Sequence, residues 1–433
     1  MNNRNHAGRR DFIKKTSAAA FGSVFIHPLA SNMISHDVSD KVIKVGLVGC
    51  GGRGAGALFE ALTASPQVRV VAIGDTFDDM AKGVYTLLKQ NFNKQCDVSP
   101  ETCFVGFDAY QKVIALCDAV ILATPPPFRP QHFEAAINAN KHVFMEKPVA
   151  VDVPGFHKVM EIGKLADQKK LNVVVGLQFR YDIGNQKLVK KIEGGEIGDI
   201  TSISTYYNVG APKVIPPQPQ QTEMEYQVRN WRYFTWLWGG QLAGQAIHQI
   251  DMMNWIMKDF PVKALGNGGR LIYNGRDNGD AYDHFFIEYE YENGVKMFSQ
   301  SRNMNNCDDK MGWTMKGTKG MANERQELFD LSGKNFWRYR DRGDLGATQI
   351  EQNVFIESIL NNTHINNTEY GAKSSLTTIM GRMAAETGKE ITMQELLKSE
   401  ESIVPSDMSW NSKTIKFPDE NGNYPISKPG IGN

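Results

Sequence analysis

Short apolar runs alternate with amphipathic stretches over the first part of the chain that follows residue 40. Apolar, β-branched runs occupy 42–48, 69–73, 117–125 and 141–145, and stretches with helical spacing follow at 57–62 and 130–139. Buried parallel strands read as continuous apolar runs, and helices alternate with them in doubly wound sheets. The pattern therefore predicts an α/β fold whose first unit, residues 41–170, is a Rossmann-type doubly wound parallel sheet.

The order of elements changes after residue 170. Apolar segments at 173–181, 200–208, 263–273, 285–291, 295–302 and 312–316 are adjacent or joined by tight turns such as Glu292-Asn293-Gly294. Such connections are typical of antiparallel strands. Helical patterns cover 241–257, 349–360 and 370–386, and the latter two should pack against the first domain or the sheet edge. We predict an α+β domain with a large open antiparallel sheet over 171–405, followed by an extended arm over 406–433.

A proline-rich insertion at 211–221 and an aromatic segment at 231–238 interrupt the second domain. Long loops in compact domains tend to be lids or binding loops. Aromatic faces suit the alternating CH and OH surface of a sugar. The alternative is that these aromatic side chains form ordinary core or a contact between subunits.

The N-terminus places Arg9 and Arg10 before an apolar pair and two lysines, and the apolar stretch 18–26 follows. This arrangement resembles a twin-arginine signal, which exports proteins that have already folded. A basic tail is the alternative. We expect residues 1–40 to be signal and linker and the protein to be periplasmic or otherwise exported, with its cofactor loaded before export and therefore tightly bound.

Composition excludes several classes of partner. Lys plus Arg equals Asp plus Glu at 48 each, so no net charge favours nucleic acid or an acidic membrane. No apolar run approaches the ~20 residues that span a bilayer. The five cysteines are scattered and lack a Cys-x-x-Cys pair, so we expect neither a disulfide framework nor a metal site.

The first strand leads into a glycine loop. Gly49, Gly51 and Gly54 fit the G-x-G-x-x-G fingerprint, in which glycines allow a tight turn, close approach to a pyrophosphate and close helix packing. Asp75 ends the next strand about twenty residues later, where its carboxylate can accept hydrogen bonds from a ribose. It disfavours a 2′-phosphate, so NAD is favoured, while the nearby Arg53 leaves NADP possible. Alternatively, Asp75 caps the helix near residue 78.

Four stretches together resemble the Gfo/Idh/MocA family, named after glucose-fructose oxidoreductase, inositol dehydrogenase and rhizopine catabolism. They are Val-Gly-Cys-Gly-Gly-Arg-Gly at 48–54, Ala-Thr-Pro-Pro-Pro at 123–127, His-Val-Phe-Met-Glu-Lys-Pro-Val-Ala at 142–150, and Gly239-Gly240 before a helix that carries His248 and Asp251. The resemblance covers roughly residues 41–400. It implies a Rossmann domain, a C-terminal domain with an open antiparallel sheet, and NAD(P) bound between them.

Two residues carry the predicted chemistry. Lys147 ends a strand, where its ammonium group can stabilise negative charge on the substrate oxygen as hydride leaves or arrives. His248 can take up the hydroxyl proton, because imidazole titrates near neutrality. A packing role is the alternative for the histidine. Many relatives carry an aspartate four residues before this histidine, and here that position is Gly244.

The remaining contacts with cofactor and substrate are predicted from three features: a position at a strand end, the family resemblance, and a location on the same helix face as another candidate. The predicted cofactor contacts are Gly49, Gly51, Gly52, Arg53, Gly54, Asp75, Thr124, Pro125, His132, Glu146, Lys147, Gln178 and Arg180. The predicted substrate contacts are Lys147, Tyr181, Trp231, Tyr233, Gln245, His248 and Asp251. His284 and Arg302 are weaker additions.

The leading hypothesis is an NAD(P)-dependent oxidoreductase that acts on a secondary alcohol of a sugar, glycoside or cyclitol. One alternative is an NAD-dependent glycosidase that oxidises the sugar transiently, eliminates the aglycone, adds water and reduces again, with no net redox change. Another is a non-catalytic sensor that binds the dinucleotide or a sugar. We also expect a homo-oligomer, either a dimer or a tetramer.

Overall fold

A computed structural model describes residues 41–430. The predicted export signal lies outside the described residues. Two sheets organise the described chain, one with six strands and one with nine.

All strand pairs of the first sheet are parallel, in the order β3-β2-β1-β4-β5-β6. Its strands are Ile43–Val48 (β1), Val68–Asp75 (β2), Cys103–Val105 (β3), Ala119–Leu122 (β4), His142–Met145 (β5) and Val173–Val175 (β6). The helices between them are Gly52–Ala64 (α1), Asp78–Asn91 (α2), Ala109–Leu116 (α3), Arg129–Asn138 (α4) and Val153–Gln168 (α5). This is the predicted doubly wound architecture.

The predicted domain boundary at residue 170 is one strand too early. Val173–Val175 pairs in parallel with β5 and completes the first sheet. The predicted strand over 173–181 also ends at Val175, and Gln178–Arg180 forms a 3-10 turn. All three residues of the strand are buried, whereas Gln178 and Arg180 in the turn have polar side chains. Burial in the strand would desolvate these side chains, so the strand ends before them.

The second sheet is mixed, in the order β14-β13-β12-β11-β7-β10-β9-β8-β15. Its strands are Ile200–Val209 (β7), Lys263–Gly269 (β8), His284–Glu290 (β9), Lys296–Asn303 (β10), Lys310–Gly317 (β11), Gly320–Asn323 (β12), Glu327–Asp330 (β13), Asn335–Arg338 (β14) and Ile391–Thr392 (β15). The pairing is antiparallel except at the centre, where β7 and β10 are parallel. The chain reaches β10 from β7 through a long crossover rather than a hairpin, which the local turn signals did not reveal.

The predicted strand 263–273 ends at Gly269. The buried Asp283 carboxylate accepts hydrogen bonds from the backbone N–H groups of Leu271, Ile272 and Tyr273, at 2.7, 2.6 and 3.1 Å. These donors are therefore not available to a sheet ladder.

Seven helices of the described chain belong to the second half: Ile183–Glu193 (α6), Glu223–Arg229 (α7), Thr235–Trp238 (α8), Ile247–Met257 (α9), Ala347–Leu360 (α10), Thr368–Thr387 (α11) and Met393–Leu396 (α12). As expected, α10 packs on α1 of the first domain, and α11 packs between α5 and the second sheet. Small residues such as Gly371 and Gly381 allow this approach, because an added Cβ would lie 2.8 Å from Val175 and 2.0 Å from Tyr289 respectively.

Residues 211–238, here called the insertion, and the C-terminal arm form a separate small core. Tyr233, Phe234 and Trp236 are buried in it, and Tyr424 of the arm packs edge-on against Phe234 with ring centres 5.0 Å apart. Earlier in the arm, Trp410 contacts Phe77 and Phe107 of the first domain, at 5.3 and 4.5 Å between ring centres. The arm thus crosses from one domain to the other.

Candidate active site

A cleft of about 520 Å³ lies between the two domains, at the carboxyl ends of the parallel strands. Ligands bind at this edge in doubly wound sheets. Among residues 41–430, no cluster of three or more His, Cys, Asp or Glu side chains could hold a metal ion, and no helix has the length and apolarity needed to cross a bilayer. All five cysteines are free thiols.

The glycine loop forms one wall of the cleft. Gly49 has a φ of +98°, and a Cβ there would lie 2.5 Å from the Thr124 backbone nitrogen; a Cβ on Gly54 would lie 1.9 Å from the Gly49 carbonyl oxygen. These two glycines allow the turn and the close packing of α1. By contrast, a Cβ on Gly51 or Gly52 would meet no atom within 4 Å. The loop therefore presents bare backbone to the cleft, as a pyrophosphate requires.

Asp75 lies at the end of β2, beside this loop. Its carboxylate accepts hydrogen bonds from the backbone N–H groups of Cys50 at 2.7 Å and Phe77 at 2.9 Å. Burial raises the pKa of the carboxyl group, and these N–H donors oppose that shift. Asp75 does not cap α2, whose N-cap is Phe77 and has no side-chain cap, and its carboxylate lines the cleft.

Lys147 follows β5 and reaches across to the second domain. Its Nζ donates a hydrogen bond to the Gly244 carbonyl oxygen at 2.7 Å. Burial lowers the pKa of this ammonium group to about 8; the Glu146 carboxylate opposes the shift, and the positive charges of Arg53 and Arg232 add to it. The peptide bond between Lys147 and Pro148 is cis.

Gly244, where relatives carry an aspartate, has no room for a side chain. It lies in a π-helical segment, Leu242–Ala246, that precedes α9. A Cβ on Gly244 would lie 1.9 Å from Nε1 of the Trp238 indole. Trp238 therefore fills the space that a side chain at position 244 would need, and the backbone carbonyl of Gly244 accepts the hydrogen bond from Lys147.

We expect Gly244→Ala to destabilise the protein, because the Trp238 indole must move to admit the methyl group. Overpacking of this kind costs roughly 1–3 kcal/mol in the free energy of unfolding. Thermal unfolding followed by circular dichroism measures the effect. Gly83→Ala is the control, since a Cβ there meets no atom within 4 Å. Equal midpoints for the two variants would show that the indole does not restrict position 244.

His248 projects from α9 into the same cleft, and its ring centre lies 5.4 Å from that of Phe179. Burial lowers the pKa of the imidazole well below its usual value, and the charges of Lys147 and Arg53 lower it further. Nδ1 is buried and has no hydrogen-bond partner among the described residues. The ring is therefore neutral near pH 7, in the form that accepts a proton.

Glu146 and Arg53 form an ion pair beside Lys147. Arg53 Nε donates to Glu146 at 2.6 Å, and its Nη2 donates to Glu60 at 2.8 Å. Glu351 of α10 also lines this part of the cleft; it is 1% exposed and its Oε1 has no hydrogen-bond partner among the described residues. Burial raises the pKa of Glu351 well above its usual value, and the Glu146 charge adds to the shift.

The cleft brings together most of the residues predicted from sequence. They are Gly49, Gly51, Gly52, Arg53, Gly54, Asp75, Thr124, Pro125, Glu146, Lys147, Gln178, Trp231, Gln245 and His248. The structure thus brings these residues to one cleft, and their roles stay predictions.

Three predicted contacts are engaged elsewhere. Arg180 forms a bidentate ion pair with Asp251 at 2.9 and 2.8 Å and lies over the Tyr370 ring at 3.9 Å. Asp251 also accepts a hydrogen bond from Ser374 at 2.7 Å. Tyr181 is buried and donates to Asn367 at 2.6 Å. The helical spacing of Asp251 and His248 predicted that both side chains face the cleft. In the structure, the Asp251 carboxylate instead binds Arg180 outside the cleft.

Other predicted contacts also lie outside the cleft lining. His132 is buried behind Thr124, and burial together with Arg129 lowers its pKa to about 3. Tyr233 is buried in the core of the insertion. The weaker candidates are engaged locally: His284 pairs with Asp283 at 2.7 Å, and Arg302 donates to the Asp308 carbonyl oxygen at 2.7 Å.

Several cleft residues were missed in the sequence. They are Arg129, Arg229, Arg232, Trp238 and Glu351. Glu351 had a detectable signal, since it shares helical spacing with the buried Phe355 and Ile359 and is therefore an acid on an apolar face. Arg129, which donates to the Leu122 and Thr124 carbonyl oxygens at 2.6 and 2.7 Å, had none.

Sequence comparisons match both halves of the chain to one family. Residues 43–177 match "Oxidoreductase family, NAD-binding Rossmann fold", and residues 185–323 match "GFO/IDH/MocA C-terminal domain". These ranges contain the glycine loop, Lys147 and His248.

The curated relatives have low sequence identity to this chain, and the matched regions cover only part of each relative's length. An inositol 2-dehydrogenase from Rhizobium meliloti is 23% identical over 261 residues, which are 60% of this chain and 69% of that protein. An inositol 2-dehydrogenase from Salmonella typhimurium is 28% identical over 223 residues, 50% of this chain and 55% of that protein. A 2,7-anhydro-N-acetylneuraminate hydratase from Escherichia coli is 26% identical over 179 residues, 41% of this chain and 44% of that protein.

Solved structures share the fold over most of the chain. Scyllo-inositol dehydrogenase from Lactobacillus casei, with bound NAD(H) and scyllo-inositol, superposes with a TM-score of 0.62 at 22% identity, over 81% of this chain and 99% of that one. Aldose-aldose oxidoreductase from Caulobacter crescentus gives a TM-score of 0.63 at 16% identity, over 82% and 100%.

Proposed function

Because the chain belongs to the Gfo/Idh/MocA family of NAD-binding oxidoreductases, we propose that it transfers a hydride between NAD and a secondary alcohol of a cyclitol or sugar. The observation that carries the proposal is the meeting of Lys147 and His248 in the cleft that the bare glycine loop lines. The named activities of the curated relatives, inositol 2-dehydrogenases, supply the substrate class.

The residues present fit the cofactor. The open backbone at Gly51 and Gly52 would hold the pyrophosphate, and Asp75 would accept hydrogen bonds from the adenosine ribose. Asp75 also disfavours a 2′-phosphate, which supports NAD over NADP. When bound, NAD supplies the hydride acceptor for oxidation and the donor for reduction.

Side chains of the protein stabilise the developing charge and transfer the proton at the substrate alcohol. The Lys147 ammonium group donates a hydrogen bond to the substrate oxygen and stabilises the negative charge that develops there. The neutral His248 ring takes the hydroxyl proton during oxidation and returns it during reduction. Trp231 and Trp238 present aromatic surface to the CH face of the ring substrate.

The pKa shifts predict a one-sided pH profile. Lys147 must be protonated to donate, so kcat/KM should fall as pH rises through about 8. His248 must be neutral to accept a proton, and its depressed pKa keeps it neutral well below pH 6.5. Initial rates across a pH series should show an alkaline limb and no limb near 6.5. Lys147→Arg is the control, since guanidinium does not titrate in this range and the alkaline limb should disappear.

We propose that the cofactor is bound tightly. Arg229 of α7 forms a bidentate ion pair with Asp79 of α2 at 2.7 and 2.8 Å and lies over the Phe77 ring at 3.7 Å. This contact links the insertion to the first domain beside the adenosine end of the cleft, where Ile215 and Val228 also lie.

Mass spectrometry of the purified, denatured protein tests both cofactor and retention. Stoichiometric NAD is the expected result, and Asp79→Ala should reduce the retained fraction. If the protein neither retains nor takes up a pyridine nucleotide, the proposed oxidoreductase function is wrong.

A glycosidase that uses transient oxidation is a second candidate. One curated relative is a hydratase, so a protein similar to this chain has an activity other than that of a dehydrogenase. Incubation with aryl glycosides separates the two reactions. Release of the aglycone without net formation of NADH supports the glycosidase, whereas a ketosugar with NADH and no cleavage supports the dehydrogenase.

We also propose export through the twin-arginine route, on the basis of Arg9 and Arg10. Fractionation of cells that express the chain and its Arg9→Lys/Arg10→Lys variant tests this. The wild-type protein should be found outside the cytoplasm and the variant inside it.

A homo-oligomer formed through the sheet is supported by apolar side chains on its outer face. Leu265 and Phe286 are 48% and 39% exposed there, and Phe286 stacks on Phe298. Light scattering should give a dimer or tetramer for the wild-type chain and a smaller species for Phe286→Glu.

A further inference from the structure

The arginines that line the cleft differ in how they are engaged. Arg53 is held by Glu60 and Glu146, and Arg229 by Asp79. Arg129 is buried and donates to two backbone carbonyl oxygens. All three therefore have fixed partners within the protein.

Arg232 is the exception within residues 41–430. It lines the cleft, and its guanidinium lies over the Trp231 ring at 4.6 Å, but no described carboxylate lies within ion-pair distance of it. The side chain is exposed to the solvent of the cleft. The Trp231 ring lies against the face of the Arg232 guanidinium and orients it. The N–H groups at the edge of the guanidinium therefore remain available to a ligand.

Arg232 and Lys147 belong to the same end of the cleft. The charge of Arg232 is close enough to contribute to the lowered pKa of Lys147. Trp238, Gln245 and His248 complete this end, which we call the substrate end.

The acids that line the cleft do not pair with Arg232, although Glu146 lies beside Lys147. Asp75 is bonded to the glycine loop, and Glu146 is paired with Arg53. Glu351 is buried within the electrostatic reach of Glu146, Arg53 and Glu60. Every acid that lines the cleft thus has its own partners or is buried away from Arg232, and Arg232 remains without a carboxylate partner among the described residues.

We propose that the substrate is an acidic sugar, whose carboxylate binds the Arg232 guanidinium while its hydroxyl oxygen binds Lys147. This inference rests on the proposed function and narrows its substrate class. A single free guanidinium matches a carboxylate in both charge and bidentate geometry. A neutral cyclitol would leave this cation without a counter-charge at the substrate end.

Matched pairs of sugars test the proposal with the NAD-loaded full-length protein: D-glucose with D-glucuronate, and D-galactose with D-galacturonate. Formation of NADH gives kcat and KM, and isothermal titration gives binding without turnover. At least one acid should exceed its neutral partner about 10-fold or more in kcat/KM, mainly through KM, because a charge-assisted hydrogen bond to the carboxylate strengthens binding.

Variants assign that preference to a residue. Arg232→Gln should reduce the acid-to-neutral ratio of kcat/KM about 10- to 100-fold, and Arg232→Lys should restore part of it. Arg325→Gln, which alters an exposed arginine, is the control and should leave the ratio unchanged.

Three results would overturn the inference. One is a preference for the neutral sugar in the wild-type protein, and another is an acid preference that survives Arg232→Gln. The third is selective binding of D-glucose 6-phosphate over both D-glucose and D-glucuronate, which would assign the site to a phosphate. Failure of the proposed function differs from all three, because no sugar of either kind would then reduce the bound NAD.

Discussion

Lys147→Met lowers kcat on the order of 10²–10³-fold, the usual loss when one donor to a developing oxyanion is removed. Methionine is also unbranched and fills most of the same space, but it lacks the ammonium group that donates to the Gly244 carbonyl oxygen. The loss should therefore lie in the chemical step, and cofactor retention should change far less. Single-turnover formation of NADH, together with mass spectrometry of bound NAD, separates these effects.

Two further variants complete the Lys147 experiment. Lys147→Arg keeps a positive donor and should recover part of the rate. Lys164→Met removes an exposed lysine from α5 and should behave like the wild-type protein. A kcat for Lys147→Met within 10-fold of wild type would mean that this lysine does not stabilise the reacting oxygen.

Gly51→Ala should reduce affinity for NAD by about 10- to 100-fold and leave the fold intact. The backbone at Gly51 has φ −72° and ψ 176°, which alanine adopts readily, and a Cβ there meets no protein atom within 4 Å. The methyl group would instead occupy the space that the pyrophosphate must approach. Titration of NAD into cofactor-free protein measures the affinity.

The contrast with Gly54 makes this test specific. A Cβ on Gly54 lies 1.9 Å from the Gly49 carbonyl oxygen, so Gly54→Ala should lower the thermal midpoint as well as binding. Gly83→Ala serves again as the neutral control. Unchanged NAD affinity in Gly51→Ala would exclude the loop as the pyrophosphate site.

The first domain was predictable because its signals are local. Each buried strand is a short apolar run, and the glycines at 49, 51 and 54 have a conformational or steric reason that can be recognised within six residues. The strand ends then placed Asp75, Thr124 and Lys147 at one edge without knowledge of tertiary contacts.

The remaining part of the site depends on contacts between distant segments. Nothing near Arg180 in sequence indicates that it pairs with Asp251, seventy-one residues later, or that Trp238 occupies the space beside Gly244. The parallel pairing of β7 with β10 was likewise hidden, because the chain between them is a long crossover. Aromatic composition predicted a sugar surface but did not distinguish Trp231, in the cleft, from Tyr233, in the core.

The C-terminal arm has a consequence for the order in which the protein matures. Trp410 supports Phe77, which lines the cleft, and Tyr424 completes the core of the insertion that carries Arg229. Translation delivers these residues after both sheets, so a nascent chain that stops before the arm has an unfinished dinucleotide pocket. We therefore expect stable capture of NAD to require synthesis of the arm through Tyr424.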